Sequence, residues 1–486
     1  MHRLPVIALL LLSRSPASAL AQDPEPARRP NILLAIADDW GWPHAGVLGD
    51  PVVRTPTFDR LAAEGLLLSQ AYVSSPSCSA SRAALLTGQW HWRLAAAANL
   101  YGPLAASIPV YPDLLEDAGY FVGFTRKGWG PGKLGDRTRN PAGPKFKDFG
   151  AFLEARPEGQ PFCFWFGSFD PHRGYALGSG AESGMDLDAI RLPGCFPDRP
   201  EVRSDVADYY VEVQRFDREV GELLAELERR GELDDTLVVM TGDHGMPFPR
   251  CKANVYDTGT RVPLAVRWPG HVAPGRSVED FCSFTDLAPT FLRAAGLVPP
   301  SVMTGRSLVP LFEAEGSGWL GLGRTHVLTG KERHVPCQQA PDTGGTPMRA
   351  LRTREFLYVR NFRPDRWPAG TPDWEHATIS GSWYGDCDNG PTKTVMVEDR
   401  ERDAASRRLY DLAFALRPAE ELYDLAEDPN QLVNVAALEE YSAVRAELSA
   451  RLEEELTATG DPRLVGGGER FDAFPYTGGS PRWEGR

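Results

Sequence analysis

The segment from Cys78 to Arg82, Cys-Ser-Ala-Ser-Arg, combines a thiol with a cation at a fixed spacing. It opens a helical pattern that runs to Thr87 and stops at Gly88. A cysteine at a helix start lies beside free backbone N–H groups and the positive end of the helix dipole. An arginine four residues later returns to the same side, where it can bind an anion held near the cysteine. This spacing indicates a nucleophile with an anion-binding arginine, and a buried structural cysteine beside a surface arginine is the alternative.

Carboxylates follow two segments that have the composition of buried strands. The first predicted strand ends in Asp38 and Asp39, and a later one leads into Asp243 and His244. Ligands of open parallel sheets bind beyond the carboxyl ends of the strands, so we expect these residues at one rim. Three carboxylates suit a hard divalent cation, Ca²⁺ or Mg²⁺. The scarcity of thiolates at this rim disfavours a structural zinc site.

Basic residues lie at the same predicted rim. Lys127 follows a third strand, and His172 follows a fourth within the segment Asp-Pro-His-Arg. Together with Arg82, Lys127 and Lys252 can clamp the oxygens of an anionic ester. Each residue taken singly also fits a turn, a helix cap or a solvated surface. Their collection at one sheet edge predicts an active site.

An alternation of strand-like and helix-like segments must position these side chains. It predicts an α/β fold, a mostly parallel sheet with helices on both faces. After about residue 347 the pattern changes to hairpin-related strands and a late helix, which predicts a smaller C-terminal α+β domain over 347–460 and an irregular tail over 461–486. The principal predicted elements are strands 31–37, 120–125, 162–168 and 236–241, helices 56–64 and 205–230, and, in the C-terminal domain, strands 348–353, 355–361 and 422–425 and helix 437–457.

The composition is that of a large globular protein. The chain has 486 residues, of which 42% are hydrophobic and 24% charged, enough for two or three domains and a large core. The net charge of −14 argues against a nucleic-acid partner. It also requires a local basic pocket for any anionic substrate, because the overall field repels one.

The first 21 residues are typical of a secretory signal. A short basic start precedes the apolar run from Leu4 to Leu12, and Ala19-Leu20-Ala21 resembles a cleavage site. We therefore expect export to the periplasm or the extracellular space, with residues 22–29 as a linker. No later stretch is apolar enough for a membrane span. Beyond Cys78, six further cysteines allow up to three disulfides or buried free thiols.

Four ordered blocks resemble the type I, formylglycine-dependent sulfatases and span most of residues 30–360. Residues 246–249, read with the Asp-Pro-His-Arg block, are most similar to the N-sulfoglucosamine sulfohydrolases of that family, which cleave the N-sulfate of heparan sulfate. The resemblance implies an alkaline-phosphatase-like fold with a catalytic domain over 30–346. The four blocks are residues 31–39, 78–88, 170–173 and 241–254.

The resemblance also implies a role for each site residue. A maturation enzyme converts Cys78 to formylglycine, whose hydrated aldehyde is the nucleophile. Arg82 holds that hydrate, Lys127 and Lys252 bind sulfate, and His172 faces the leaving group; with Cys78 these are the implied catalytic residues. The implied ligands of the cation, Ca²⁺ first with Mg²⁺ as the alternative, are Asp38, Asp39, Cys78, Asp243 and His244.

Two residues depart from the family pattern. Trp129 stands where a histidine is common, so proton delivery would depend more on His172, and the ring could instead stack on a sugar. Ala80 replaces the commoner proline of the modification motif, so conversion of Cys78 depends on the maturation enzyme of the host. Arg333 and His334 precede the second domain, and we expect them to overhang the pocket and bind substrate, with a surface loop as the alternative.

These features predict a sulfatase that acts on a sulfated sugar, with N-sulfoglucosamine first and O-sulfated sugars or aryl sulfates as alternatives. A phosphodiesterase or phosphonate hydrolase of the alkaline phosphatase superfamily is a second interpretation. A third is an exported protein that binds sulfated glycans without turnover. The sequence leaves the oligomeric state open.

Overall fold

The computed structural model describes residues 29–483. The predicted signal peptide and all but the last residue of the predicted linker lie outside the described residues. Within residues 29–483, no helix has the length and apolar content needed to cross a bilayer.

The described residues form strands that make up three sheets. In chain order they are Asn31–Ala37 (β1), Leu66–Leu68 (β2), Ala71–Tyr72 (β3), Phe121–Arg126 (β4), Phe162–Gly167 (β5), Thr236–Gly242 (β6), Arg261–Val262 (β7), Leu264–Arg267 (β8), Arg276–Val278 (β9), Cys282–Ser283 (β10), Val327–Lys331 (β11), Met348–Arg352 (β12), Phe356–Asn361 (β13) and Glu420–Asp424 (β14).

The α-helices of the described residues lie between and after these strands. In chain order they are Pro56–Glu64 (α1), Cys78–Thr87 (α2), Tyr111–Asp117 (α3), Phe149–Ala155 (α4), Ser179–Glu182 (α5), Pro200–Arg229 (α6), Asp257–Thr260 (α7), Leu287–Ala294 (α8), Val309–Glu313 (α9), Pro391–Glu398 (α10), Ala404–Phe414 (α11), Ser442–Ala458 (α12), Pro462–Val465 (α13) and Arg470–Ala473 (α14).

The central sheet is mostly parallel, as predicted. Its seven strands have the order β4-β5-β1-β6-β8-β2-β9. The first four run parallel, β8 runs antiparallel to both of its neighbours, and β9 pairs in parallel with β2. Ile32, Leu34 and Ile36 of β1 pack into one hydrophobic core, whereas Leu33 and Ala35 pack into the other. Burial on both faces explains why this strand is a continuous apolar run.

The predicted elements around the site are confirmed, with shifts at their ends. Strand β4 begins and ends one residue later than predicted. Helix α2 begins at Cys78, whereas its helical pattern in the sequence starts at Ser81. The long helix α6 begins at Pro200, five residues before the predicted start at Asp205. A proline in the first helical turn loses no backbone hydrogen bond, so the helix extends back to it.

A separate antiparallel sheet has the order β11-β12-β13-β14. Its first strand, Val327–Lys331, comes before residue 347, where the pattern change was placed. Helix α12 covers the sheet with Leu448, Leu452 and Leu456, which share a core with Leu351 of β12. Two helices, α10 and α11, lie between β13 and β14, where no helix was predicted, and the predicted irregular tail contains the short α13 and α14.

All seven cysteines are buried free thiols. Of the two alternatives open from the sequence, disulfides or free thiols, the structure has the second.

Candidate active site

The carboxyl ends of β1 and β6 meet in an acidic cluster formed by Asp38, Asp39, Asp243 and His244. The two strands pair in parallel along their whole length, so the residues that follow them lie side by side. The N–H of Asp39 donates to Oδ1 of Asp243 at 2.9 Å, and Nε2 of His244 lies 3.2 Å from Oδ1 of Asp39. Asp39 has a φ of 72°, a left-handed conformation that non-glycine residues rarely adopt and that concentrates at functional sites.

Cys78 begins α2 with its sulfur at this cluster. Its Sγ lies 3.4 Å from Oδ1 of Asp38 and 3.2 Å from Nε2 of His244. Burial, reinforced by the charge of Asp38, raises the pKa of the Cys78 thiol well above its ordinary value. The unmodified side chain is therefore a neutral thiol, and thiolate chemistry is disfavoured.

Arg82 lies one turn further along α2 and is fully buried. Its Nε donates to Oδ2 of Asp243 at 2.8 Å, and Nη1 donates to the carbonyl oxygens of Lys127 and Gly128 at 3.2 and 2.9 Å. Its Nη2 has no hydrogen-bond partner among the described residues and lies 3.8 Å from Oδ1 of Asp38. Buried donors are normally paired, so this nitrogen is available to an oxygen bound beside Cys78.

Two lysines pair with the aspartates of the acidic cluster. Nζ of Lys127 donates to Oδ2 of Asp38, and Nζ of Lys252 donates to Oδ2 of Asp39 at 2.9 Å. Burial opposes the ionisation of Asp38, but Lys127 and His172 outweigh it and hold the pKa of this carboxyl well below its usual range. Asp38 is therefore ionised, and the two lysines place their ammonium groups beside the acidic cluster.

His172 stands at the accessible edge of the cluster, with 38% of its side chain exposed. Its Nδ1 lies 2.7 Å from the carbonyl oxygen of Arg173. That oxygen can only accept, so Nδ1 carries a proton. The other ring nitrogen, Nε2, lies 4.0 Å from Oδ2 of Asp39. The other charged side chains of the Asp-Pro-His-Arg segment form ion pairs that hold it in place. Asp170 pairs with Arg215, and Arg173 donates two hydrogen bonds to the carboxylate of Asp205.

A cavity of about 760 Å³ opens over these residues. Asp38, Lys127 and His172 line it, and so does Trp129, which is 5% exposed. An aromatic wall beside charged groups is a common arrangement for binding one face of a sugar. Trp129 therefore borders this cavity, and its stacking on a sugar stays a prediction.

The side chains of Arg333 and His334 have different partners. Nδ1 of His334 lies 2.9 Å from Oγ of Ser77, next to Cys78. Burial and the nearby charge of Lys252 hold the pKa of His334 well below its ordinary value, so this imidazole is neutral. Arg333 instead donates to the carbonyl oxygens of residues 343, 472 and 474. Neither Arg333 nor His334 is among the residues that line the cavity, so the expected overhang is not observed.

One acidic residue at this site has no counterpart in the predicted set. Oδ2 of Asp388 lies 3.0 Å from Nζ of Lys252, and an Asp388 oxygen lies within 4.8 Å of ligand atoms of Asp39 and His172. Asp388 follows a stretch rich in tryptophan and glycine that has no clear periodicity. Only its position two residues after another acidic side chain, in Asp386-Cys387-Asp388, distinguished it in the sequence.

The acidic cluster has the donors of a site for a divalent cation. Ligand atoms of Asp38, Cys78, Asp243 and His244 all lie within 4.8 Å of one another. Two of these four are carboxylates, and Asp39 adds a third beside His244, which suits a hard cation. Four carboxylates, counting Asp39 and Asp388, face the three basic side chains Arg82, Lys127 and Lys252. A divalent cation would make this local charge positive, as an anionic substrate requires in a chain of net charge −14.

Comparison with known proteins agrees with this site. The family model described as Sulfatase matches residues 30–134 and 144–297. Human N-sulphoglucosamine sulphohydrolase is 30% identical over 507 residues, covering 90% of this chain and 91% of the human protein. An ulvan-active sulfatase of Formosa agariphila is 27% identical over 482 residues, covering 89% of this chain and 76% of that protein.

The phosphonate monoester hydrolase of Silicibacter pomeroyi has the same fold. It superposes with a TM-score of 0.65 at 18% identity, covering 90% of this chain and 96% of that one. At this identity the likeness concerns the fold alone.

The chain belongs to the sulfatase family. It is a sulfuric ester hydrolase with an alkaline-phosphatase-like fold, as the sequence blocks predicted. Its similarity to an N-sulphoglucosamine sulphohydrolase over nine-tenths of both chains confirms the branch of the family that those blocks resembled.

Proposed function

We propose that this protein removes sulfate from a sulfated sugar, with N-sulfated glucosamine of heparan-type glycans as the first candidate, through a formylglycine made from Cys78. The observation that carries this proposal is the placement of Cys78. Its sulfur lies at a buried helix start, 3.4 Å from Asp38 and 3.2 Å from His244. The raised pKa of its thiol argues that unmodified cysteine is not the working nucleophile.

The residues present fit both groups that the chain would acquire, a formylglycine at position 78 and a divalent cation. A formylglycine at position 78 would supply a hydrated aldehyde, one hydroxyl of which is the nucleophile. Arg82 has one unpaired nitrogen beside that position and would orient it. Asp38, Asp39, Asp243, His244 and the modified Cys78 would hold Ca²⁺, or Mg²⁺ as the alternative, which would neutralise charge on the ester oxygens.

The side chains around the cluster have separable roles. Lys127 and Lys252 present ammonium groups to the sulfate oxygens and stabilise the negative charge that develops there. His172 keeps a proton on Nδ1 through the Arg173 carbonyl, which leaves Nε2 as the nitrogen for a leaving group. As an imidazolium it donates a proton from Nε2 to the departing amine or alcohol. His334, neutral and bonded to Ser77, would add no charge beside Cys78.

A relative with wide coverage of both chains supports the proposed substrate. Human N-sulphoglucosamine sulphohydrolase covers nine-tenths of this chain, and its name specifies an N-sulfated glucosamine. Because another relative is an ulvan-active sulfatase, O-sulfated sugars stay an alternative. We further propose export to the periplasm or outside the cell, and a formylglycine-generating enzyme as the maturation partner.

Two measurements on protein from its own host test the proposal. Mass spectrometry of the tryptic peptide from Leu61 to Arg82 reports whether Cys78 carries the thiol-to-aldehyde mass change. Initial rates are then compared for N-sulfoglucosamine, glucosamine 6-sulfate, an aryl sulfate and matched phosphate and phosphonate monoesters. We expect a modified Cys78 and the highest kcat/KM with N-sulfoglucosamine.

The other interpretations correspond to distinct results of the same experiment. A phosphonate monoester as the best substrate would favour a phosphonate hydrolase, which the shared fold allows. Binding of sulfated glycans by a protein with unmodified Cys78 and no turnover would favour a glycan-binding protein. Either result would contradict the proposed reaction.

A further inference from the structure

We propose that Asp388 is a positioning residue, which holds the ammonium group of Lys252 in place to bind a sulfate oxygen. This inference rests on the proposed role of Lys252. It adds to the active site a carboxylate from the C-terminal region, more than a hundred residues beyond Lys252 in the chain.

The contacts of Lys252 carry the inference. Its Nζ donates to Oδ2 of Asp39 at 2.9 Å and to Oδ2 of Asp388 at 3.0 Å. The side chain is only 5% exposed. Since an ammonium has three donors, these two bonds leave one N–H for a bound oxygen.

The two carboxylates are not equivalent partners. Asp39 belongs to the acidic cluster, where its Oδ1 lies 3.2 Å from Nε2 of His244 and 3.9 Å from Sγ of Cys78. A cation held by the cluster would compete with Lys252 for that carboxylate. Asp39 and Asp388 form a second group with His172, but among the described residues Asp388 has no hydrogen bond or ion pair with Cys78 or His244. Asp388 is therefore the partner that Lys252 keeps when the cluster is loaded.

The segment that carries Asp388 is held rigidly on both sides. Nζ of Lys393, fully buried, donates to the carbonyl oxygens of Trp383 and Cys387 at 2.6 and 2.7 Å and to Oδ1 of Asn389 at 3.0 Å. On the other side, Asp386 pairs with the buried Lys331 at 2.7 Å. These bonds fix the backbone on either side of residue 388, so its carboxylate is preorganised.

Asp388→Asn tests the inference, because the amide keeps the size of the side chain and removes its charge. The matched control is Asp365→Asn, the same change at an exposed position of the same polar stretch, where Asp365 pairs only with Arg363. The first readout is calorimetric binding of inorganic sulfate to the cation-loaded full chain, which needs no turnover. The second is kcat/KM on a sulfated sugar and on an aryl sulfate.

We expect Asp388→Asn to weaken sulfate binding and kcat/KM by about 10- to 100-fold, the effect of losing one charge-assisted bond. Both substrates should lose the same factor, because Lys252 acts on the sulfate and not on the leaving group. In a Lys252→Met background, Asp388→Asn should change sulfate affinity by less than about 2-fold, since a residue acting through another is non-additive with it. Asp365→Asn should behave as the unchanged protein.

Several outcomes would overturn the inference. They are sulfate binding unaffected by Asp388→Asn, a loss restricted to the sugar substrate, and coupling to His172→Gln without coupling to Lys252→Met. Failure of the proposed function gives a different result. If the unchanged protein binds sulfate but turns over no sulfate ester, the proposed reaction fails. The sulfate affinities of Asp388→Asn with and without Lys252→Met still decide the role of Asp388.

Discussion

The acidic cluster and the segment 383–393 border the same site and are held together by opposite means. In the cluster, ionised carboxylates are neutralised by buried cations, as in the pairs Arg82–Asp243 and Lys127–Asp38. In the segment, the ammonium of Lys393 is bound mainly by neutral carbonyl oxygens. Burial correspondingly lowers the pKa of Lys393 to about 8, whereas that of Lys127 is raised by the nearby charge of Asp38.

This difference indicates which side chains can take part in the reaction and which only hold the backbone in place. In a cluster of paired charges, a carboxylate can exchange its lysine for a cation, and the lysine can exchange its carboxylate for a sulfate oxygen. A lysine inside a cage of carbonyl groups has no charged partner to exchange, so it can only hold the backbone in place. We therefore expect changes in the cluster to remove activity, and a change at Lys393 to act on stability first.

The largest effect is expected for Cys78→Ala. Without a side chain that can become formylglycine, kcat should fall by at least about 1,000-fold, as for the loss of a nucleophile. Initial rates on a sulfate ester measure this fall. Cys282→Ala, at a buried free cysteine away from the cluster, is the control and should retain activity. Full turnover by Cys78→Ala would contradict the role of the cysteine.

Removal of divalent cation should come next. With the cation gone, the clustered carboxylates of Asp38, Asp39 and Asp243 repel one another, so both activity and Tm should fall. We expect at least about a 100-fold loss of kcat/KM, restored by Ca²⁺. Calorimetry of chelated and reloaded protein provides a readout independent of turnover. Hydrolysis and Tm that are both insensitive to a chelator would remove the cation from the site.

His172→Gln should have an effect that depends on the leaving group. A sugar amine or alcohol needs a proton as it departs, so its kcat/KM should fall by about 100-fold or more. An aryl sulfate, whose phenolate leaves readily, should lose much less. The control is His376→Gln, whose side chain is 70% exposed. Equal losses on both substrates would instead assign His172 to the sulfate.

The smallest effect on chemistry is expected for Lys393→Met, which should lower the free energy of unfolding by about 1 to 3 kcal/mol because it leaves buried carbonyl groups unpaired. Lys147→Met, at a side chain that is 89% exposed, should change stability little. The measurement is urea unfolding followed by circular dichroism. A fall in kcat without a fall in the free energy of unfolding would show that Lys393 acts on catalysis directly.

The stability contribution of Lys393 should also depend on pH. Its pKa is about 8 in the folded protein against an ordinary value of 10.5. Between these values the unfolded chain binds more protons at this residue, so stability rises with pH there. Relative to Lys393→Met, the unchanged protein should therefore gain stability from about pH 8 to 10.5 and show no such gain below pH 8. A difference between the two proteins that stays flat with pH would contradict the lowered pKa.

Several of the predicted site residues that the structure brings together lie at the end of a strand or at the start of a helix. Asp38 and Asp243 come directly after β1 and β6, and Cys78 opens α2, so strand and helix patterns were enough to bring them together. Position alone did not suffice for Arg333. It lies two residues past β11, but its guanidinium turns to carbonyl groups of residues 343, 472 and 474, a direction that no local pattern encodes.

The sequence by itself determined the order of strands and helices, the acidic cluster and the helix start that presents Cys78. Periodic burial and capping act over a few residues, so these features are local. Only the tertiary structure decided that Asp388 reaches Lys252 and that Lys393 fixes the backbone beside it. Those contacts join residues far apart in the chain, and they form because buried ammonium groups must find acceptors wherever the packed domains provide them.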